Sequence, residues 1–350
     1  MNRHYDPAKP HHTRTGFTNS DGSQIEKSLG ELLRWRRDAI RQRLPRPPQE
    51  PTPMVQADLQ GLHDNTGGQL APAATWIGHA TMLMQAGGLN VLTDPVFSPR
   101  ASPVSFAGPR RLGAPGVALE ELPPIDVVVL SHNHYDHLDR ASMAALNARA
   151  AGRTLFLVPL GIRAWMAKLG ITNVVELDWW DRHSLAGVDF FFTPVQHWSA
   201  RALGDRHRTL WGGWAVFAPE FHWYFSGDTG YSRDFLDTRE RFADRQRDGG
   251  FDAALIAVGA CEPRWFMRDQ HVNPGEAVQV HKDLGARRSI GVHWGTFNLT
   301  DESLHQPPRD LAQARRDHGL AEEDFFLLKI GETRRLPRRA DMGKPGQCGA

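Results

Sequence analysis

The chain has 350 residues, 40% of them hydrophobic, enough to bury a sizeable core in one large domain or two ordinary ones. Its 41 Lys+Arg balance 40 Asp+Glu, so no global field draws it to nucleic acid or to an acidic partner. The two cysteines, Cys261 and Cys348, exclude a disulfide framework and fit a reducing, cytoplasmic compartment.

Residues 1–20 are polar and lack the apolar stretch of a secretory signal. Nowhere do about 18 apolar residues run together, so no membrane-spanning segment is expected. Residues 1–69 read as an arm, a basic amphipathic helix and a Pro-rich linker around the outside of the core. Residues 1–23 form an extended or loosely docked arm. From Gln24 to Leu44 a helical period places Ile25, Leu29, Leu32, Leu33, Ile40 and Leu44 near one face. Arg34, Arg36, Arg37, Arg41 and Arg43 occupy the other. Such a helix either packs on the domain with its basic face in solvent or lies on an anionic membrane surface as a peripheral contact. The prolines of Pro45–Pro53 end it.

Residues 70–332 are strand-rich. Thr75–Gln85 and Leu89–Thr93 predict a hairpin joined through Gly87-Gly88. Ile125–Leu130 is a continuous apolar run, the pattern of a strand buried on both faces. Strands are further predicted at Thr154–Val158, Val174–Leu177, Val188–Thr193, Ala253–Val258, Ser289–His293 and Phe325–Lys329. Trp211–Ala218 and Phe221–Ser226 make a second hairpin. Helices fit Arg140–Ala150, Ile162–Leu169, Pro274–Leu284 and Leu304–His318. This predicts an α/β (α+β) fold, two sheets flanked by outer helices. Residues 333–350, with Arg334, Arg335, Arg338 and Arg339, read as a basic disordered tail.

The 17 histidines carry the functional signal, since imidazole is the commonest metal ligand. His132-Asn133-His134-Tyr135-Asp136-His137 follows directly on the strand Ile125–Leu130, where rigid scaffolds present catalytic groups. His132 and His134 alternate and can converge on one ion; Asp136 and His137 come a turn later and can face a second. A hydrated polar loop is the bland alternative, and it gives Asp136 no packing purpose. Three more ligand types end predicted strands: His197, Asp228 in Gly227-Asp228-Thr229-Gly230, and His293. Each alone is more often an ordinary turn residue or a satisfied core histidine; their recurrence at strand ends points to one shared edge.

These residues resemble the ordered ligand set of the metallo-β-lactamase superfamily, whose fold is an αββα sandwich. The resemblance implies one zinc on His132, His134 and His197 and another on Asp136, His137 and His293. Asp228 would bridge both, and Asp94 would support a ligand from behind. Iron and manganese stay open as alternatives at these ligands. A nearer resemblance is to the branch containing N-acyl-phosphatidylethanolamine phospholipase D and its bacterial relatives. It is carried by Lys9-Pro10-His11-His12-Thr13, Trp76-Ile77-Gly78-His79-Ala80-Thr81 and Thr93-Asp94-Pro95-Val96-Phe97-Ser98. Glu262-Pro263-Arg264-Trp265-Phe266-Met267, His271-Val272-Asn273-Pro274 and His293-Trp294-Gly295-Thr296-Phe297 extend it to about residue 300. It implies a phosphodiesterase whose hydroxide is oriented by Asp228, with Asp136 at the metal and His271 near the substrate, where it could donate a proton or hydrogen bond at the leaving group. His271 otherwise reads as a histidine flanking the helix that begins at Pro274. The flavodiiron relatives carry a glutamate where this chain has His134, which argues for hydrolysis over redox chemistry.

No rival nucleophile stands out: Ser131 and Ser226 lack a Gly-x-Ser-x-Gly elbow, and Cys261 reads as a small hydrophobe. The substrate class is a small molecule or a phospholipid. Trp165, Trp179, Trp180, Phe190–Phe192 and Trp265-Phe266-Met267 either line a slot for acyl chains or build the core. A soluble lactonase or small-ester hydrolase on the same site is the second reading, and a non-catalytic metal-binding scaffold the third.

Overall fold

The computed structural model describes residues 2–45, 51–247 and 249–341. Two seven-stranded sheets pack face to face. The first runs β14 (Thr333–Arg335), β1 (Ala73–Gly78), β2 (Thr81–Ala86), β3 (Leu89–Thr93), β4 (Val127–Val129), β5 (Leu155–Pro159), β6 (Val174–Leu177). The second runs β13 (Phe325–Phe326), β12 (Ser289–Val292), β11 (Ala253–Ala257), β10 (His222–Phe225), β9 (Gly213–Phe217), β8 (Val188–Thr193), β7 (Arg182–Leu185). Both are mixed: β3 to β6 are parallel, as are β10 to β13, while β1–β2 and β9–β10 are antiparallel. The expected sandwich of two sheets with outer helices is what the chain builds.

The apolar runs explain the layering. Val127–Val129 is fully buried because β4 is paired on both edges and covered on both faces. Between the sheets, Trp76, Met82 and Met84 meet Phe190, Phe192, Trp214 and Phe225. Behind the first sheet, Leu83, Val128 and Phe156 pack on Met143 and Leu146 of α3 (Arg140–Arg149) and Met166 of α4 (Arg163–Ala167). Behind the second lie α7 (Pro274–Leu284) and α8 (Gln306–His318), which bury Val278 and Leu311. Asn273 and Glu276 cap α7 reciprocally, Pro274 opens it and Gly285 closes it at φ 63°. Each buried Leu, Val or Phe of these layers contributes about 1.5–3 kcal/mol.

Several expectations are corrected. Thr75–Gln85 is not one strand: Gly78 at φ 135° and His79 at φ 54° fold it into the β1–β2 hairpin. Short elements carry too little apolar periodicity to register, and β7, α2 (Leu59–Asp64), α5 (Asp234–Arg241) and α6 (Arg264–Met267) were not foreseen. The tail is ordered through residue 341: Thr333–Arg335 pairs with β1, and Arg339 Nη1 meets Asp252 Oδ2 at 2.9 Å. The remaining tail and part of Pro45–Pro53 lie outside the described residues.

The first helix, α1 (Leu29–Gln42), is shorter than predicted and begins at a Ser28–Glu31 capping box. Its apolar face does not pack on the domain: Leu29, Leu33 and Ile40 are 79%, 68% and 76% exposed. It docks instead through Trp35, which stacks on Phe266 and donates to Asp301 Oδ1 at 2.9 Å. Ahead of it, the arm is tightly seated, with His11, His12, Phe17 and Asn19 all buried. The reason is one carboxylate: Asp178 accepts His11 Nε2 at 2.7 Å, meets His12 Nε2 at 2.9 Å and contacts Lys9 Nζ. No described helix is long and apolar enough to cross a membrane.

Candidate metal centre

Strands that run the same way deliver their C-terminal ends to one edge. In the first sheet β1, β3 and β4 share a direction, and His79, Asp94 and Ser131–His137 follow them. In the second, β8, β10 and β12 share one, and His197, Asp228 and His293 follow them. The two sheets meet at this edge, and their side chains form two adjoining clusters.

In one cluster, His134 Nδ1 lies 2.8 Å from His132 Nε2 and 3.4 Å from His197 Nε2. Asp228 Oδ2 stands 3.8 Å and 3.9 Å from the same two Nε2 atoms. In the other, Asp136 Oδ2 is 3.4 Å from His137 Nε2 and 3.3 Å from His293 Nε2. Asp228 reaches here too, with Oδ2 3.0 Å from His137 Nε2 and Oδ1 3.1 Å from His293 Nε2. All the sequence-predicted ligands are therefore brought together, and Asp228 faces both groups. His271 stands at the rim, its Nδ1 4.0 Å from Asp228 Oδ2.

The donor set fits metal ions on two counts. Zinc–nitrogen and zinc–oxygen bonds of about 2.0–2.1 Å in a tetrahedron require donor–donor edges of about 3.3 Å, near the separations within the second cluster. His137 Nε2 and Asp228 Oδ1 are buried with no well-aligned hydrogen bond in the described residues, an arrangement that costs free energy unless a cation lies between them.

Burial lowers His132, and lowers His134 to about 4 and His197 to about 3, so these imidazoles are neutral as ligation requires. Asp228 feels burial pushing its carboxyl up, but His137, His293 and His271 hold it well below the usual range. Asp136 is held down similarly, chiefly by His137 against the upward push of burial. Burial works against a charge on His137, yet Asp228 and Asp136 raise it.

Supports behind the donors were only partly legible. Asp94 Oδ2 accepts His137 Nδ1 at 2.6 Å, in keeping with the supporting role inferred for it. His132 Nδ1 meets Ser131 Oγ at 2.9 Å and His197 Nδ1 the Gln270 carbonyl at 2.9 Å; nothing in the sequence pointed to either. His79 stands in the Trp76–Thr81 motif that carries the resemblance, but the sequence reading gives it no role. Its Nε2 is 3.1 Å from Asp136 Oδ2 and its ring 4.0 Å from that of His293. The Gly78-His79 pair inside a strand pattern was the available signal, because such a glycine marks a break.

The aromatic residues divide. Phe190 and Phe192 are fully buried between the sheets, and Trp179 is buried with its Nε1 donating to the Trp211 carbonyl, so these build core rather than a slot. Trp198 packs edge-on against His134, while Trp265, beside α1, remains partly exposed. Cys261 is buried and its thiol pushed up by that burial, which leaves no thiolate nucleophile among the described residues.

Two His/Asp clusters that could hold metal ions stand at one edge of a two-sheet sandwich, and relatives of this chain are named as metal-dependent hydrolases, the class to which this protein belongs. The chain belongs to the family described as the Beta-lactamase superfamily domain, which it matches over residues 89–294. It is 41% identical over 273 residues to N-acyl-phosphatidylethanolamine-hydrolyzing phospholipase D 1 of Caenorhabditis elegans, 74% of each chain. Identity is 34% over 281 residues to the mitochondrial N-acyl-phosphatidylethanolamine-hydrolyzing phospholipase D of Saccharomyces cerevisiae, 78% of this chain and 58% of that one. A possible metal-dependent hydrolase from Veillonella parvula shares the fold with a TM-score of 0.61 at 18% identity, over 76% of this chain and 100% of the other.

Proposed function

We propose that this hydrolase is a zinc phosphodiesterase acting on N-acylated phosphatidylethanolamine or a close phospholipid. The observation that carries the reading is the double cluster sharing Asp228, in a chain 41% identical to a relative named for that reaction. His132, His134 and His197 would hold one ion and Asp136, His137 and His293 the other, with Asp228 between them. Two such ions, when bound, supply a hydroxide near neutral pH and stabilise charge on the attacking and leaving oxygens.

The chain's own groups do the rest. Asp228, facing both clusters, would orient the nucleophile by accepting a hydrogen bond from it. His271, lowered to about 3 by burial, is neutral and offers a hydrogen bond at the leaving-group side. The exposed Leu29, Leu33 and Ile40 on α1, with Arg36, Arg37 and Arg41 beside them, would rest on an anionic lipid surface, and Trp265 adjoins that helix through Arg34. This unpartnered apolar face favours a lipid over the second reading, a soluble lactone or small ester on the same site.

Metal-loaded protein should release an N-acylethanolamine from vesicles and turn over water-soluble lactones poorly. Lactone turnover with intact lipid would instead establish the second reading.

A further inference from the structure

We propose that His79 is a positioning residue for the second cluster, a neutral imidazole that donates its Nε2–H to Asp136 and holds that carboxylate toward His137 and His293. The inference rests on the reading of Asp136 as a metal ligand and gives that ligand its orienting partner.

Three observations carry it. The first is placement. His79 is 1% exposed, and its Nε2 lies 3.1 Å from Asp136 Oδ2, the same oxygen that faces His293 and His137. Asp136 stands in a turn and its side chain is 15% exposed, against 2% or less for His137, His293 and Asp228. It is the member of the cluster most in need of a tether.

The second is the tautomer. His79 Nδ1 is buried and finds no hydrogen-bond partner among the described residues. An imidazole ligating through Nε2 carries its proton on Nδ1, and here that buried N–H would have no acceptor. With the proton on Nε2 the donor is used and only a lone pair stays bare, the cheaper arrangement. His137 and His197 show the opposite pattern, with Nδ1 engaged by Asp94 and the Gln270 carbonyl. His293 Nδ1 is equally bare, so position separates the two: His293 Nε2 also faces Asp228 Oδ1 at 3.1 Å, whereas the carboxylate that faces His79 Nε2 is Asp136.

The third is strain. His79 sits at φ 54°, a region that residues with a Cβ seldom occupy, and such outliers gather at functional sites. It is held there by its own N–H, which donates to Thr296 Oγ1 at 2.6 Å. Its carbonyl accepts Trp76 Nε1 at 2.9 Å and the His293 N–H at 3.1 Å. One clamp therefore fixes His79 and His293 together, and Asp136 is approached from both.

The test is cobalt titration of the full chain, followed by the visible bands of each bound ion, for the parent, His79→Ala and His79→Gln. Glutamine places an amide N–H near the Nε2 position but ligates poorly. His79→Ala should weaken the second ion about 10–100-fold, the usual effect of losing such a partner, and leave the first within a few-fold. His79→Gln should restore the second ion to within a few-fold of the parent. The proposal is overturned if glutamine is as poor as alanine, which would mean coordination or packing, or if alanine changes nothing. A parent that binds one ion refutes the two-ion reading itself. No substrate enters the measurement, so it stands or falls apart from the lipid assignment.

Discussion

Asp94 and His137 are joined by a contact of 2.6 Å between Oδ2 and Nδ1, both side chains fully buried. The same carboxylate accepts the Ser131 N–H at 2.7 Å, so one residue after β3 fixes both the start of the His132–His137 turn and a donor within it. Asp94→Ala should lower metal affinity about 10–100-fold, as expected when an imidazole loses its orienting carboxylate. Chelator competition measures this. Unchanged affinity in a folded variant would remove Asp94 from the account.

The arm reaches the centre through Asn19. Its Oδ1 accepts the His197 N–H and Trp211 Nε1, each at 3.0 Å, in a buried setting. Asn19→Leu leaves the buried His197 N–H bare and Trp211 Nε1 with only the Val195 carbonyl at 3.1 Å, and should cost about 1–3 kcal/mol in denaturant unfolding. It should also weaken the ion on His132, His134 and His197 more than its neighbour. Equal loss at both ions would point to general destabilisation.

Acid should release the arm. Burial pushes the Asp178 carboxyl up, but His11 and Lys9 hold it far below its ordinary value. A depressed carboxylate stabilises the fold fully above its unfolded pKa of about 3.9, and that contribution is lost as pH falls through the folded value. Burial also lowers His12, whose neutral form is favoured in the fold, so its share fades as pH drops below about 6.5. Limited proteolysis within residues 1–23 should therefore accelerate from pH 7 downward, and Asp178→Asn should accelerate it already at neutral pH. Cleavage indifferent to both would contradict the latch.

Membrane contact has an electrostatic signature. Arg36 and Arg37 are exposed on α1, and each basic residue at an anionic surface contributes about 1 kcal/mol. Reversing both to Glu should cut cosedimentation with phosphatidylserine vesicles about tenfold or more, and added salt should do likewise. Leu33→Ser should weaken it through lost apolar burial, with no salt dependence of its own. Binding unaffected by all three would assign α1 another partner.

Much of the fold was legible because its strands are buried on both faces and their apolar runs are unbroken, as at Val127–Val129. The donors were legible because each follows such a run. What escaped was set by tertiary contact. The seating of the arm depends on Asp178, far along the chain, and no local pattern marks that pairing. Arg334 and Arg335 read as tail because β14 has no apolar alternation; its order comes from pairing with β1. His79 was hidden because alternation over Thr75–Gln85 continues across a turn that only Gly78 betrays. The leucines of α1 fit a packed helix equally well until their exposure was seen.

The most direct test withdraws metal stepwise from one preparation while recording metal content and N-acylethanolamine release, for the parent, Asp136→Ala and His293→Ala. The account predicts about two ions per chain, turnover that follows occupancy of the cluster of Asp136, His137 and His293, and inactive variants that keep the ion on His132, His134 and His197. Full turnover by metal-free protein, or by both variants, would contradict it.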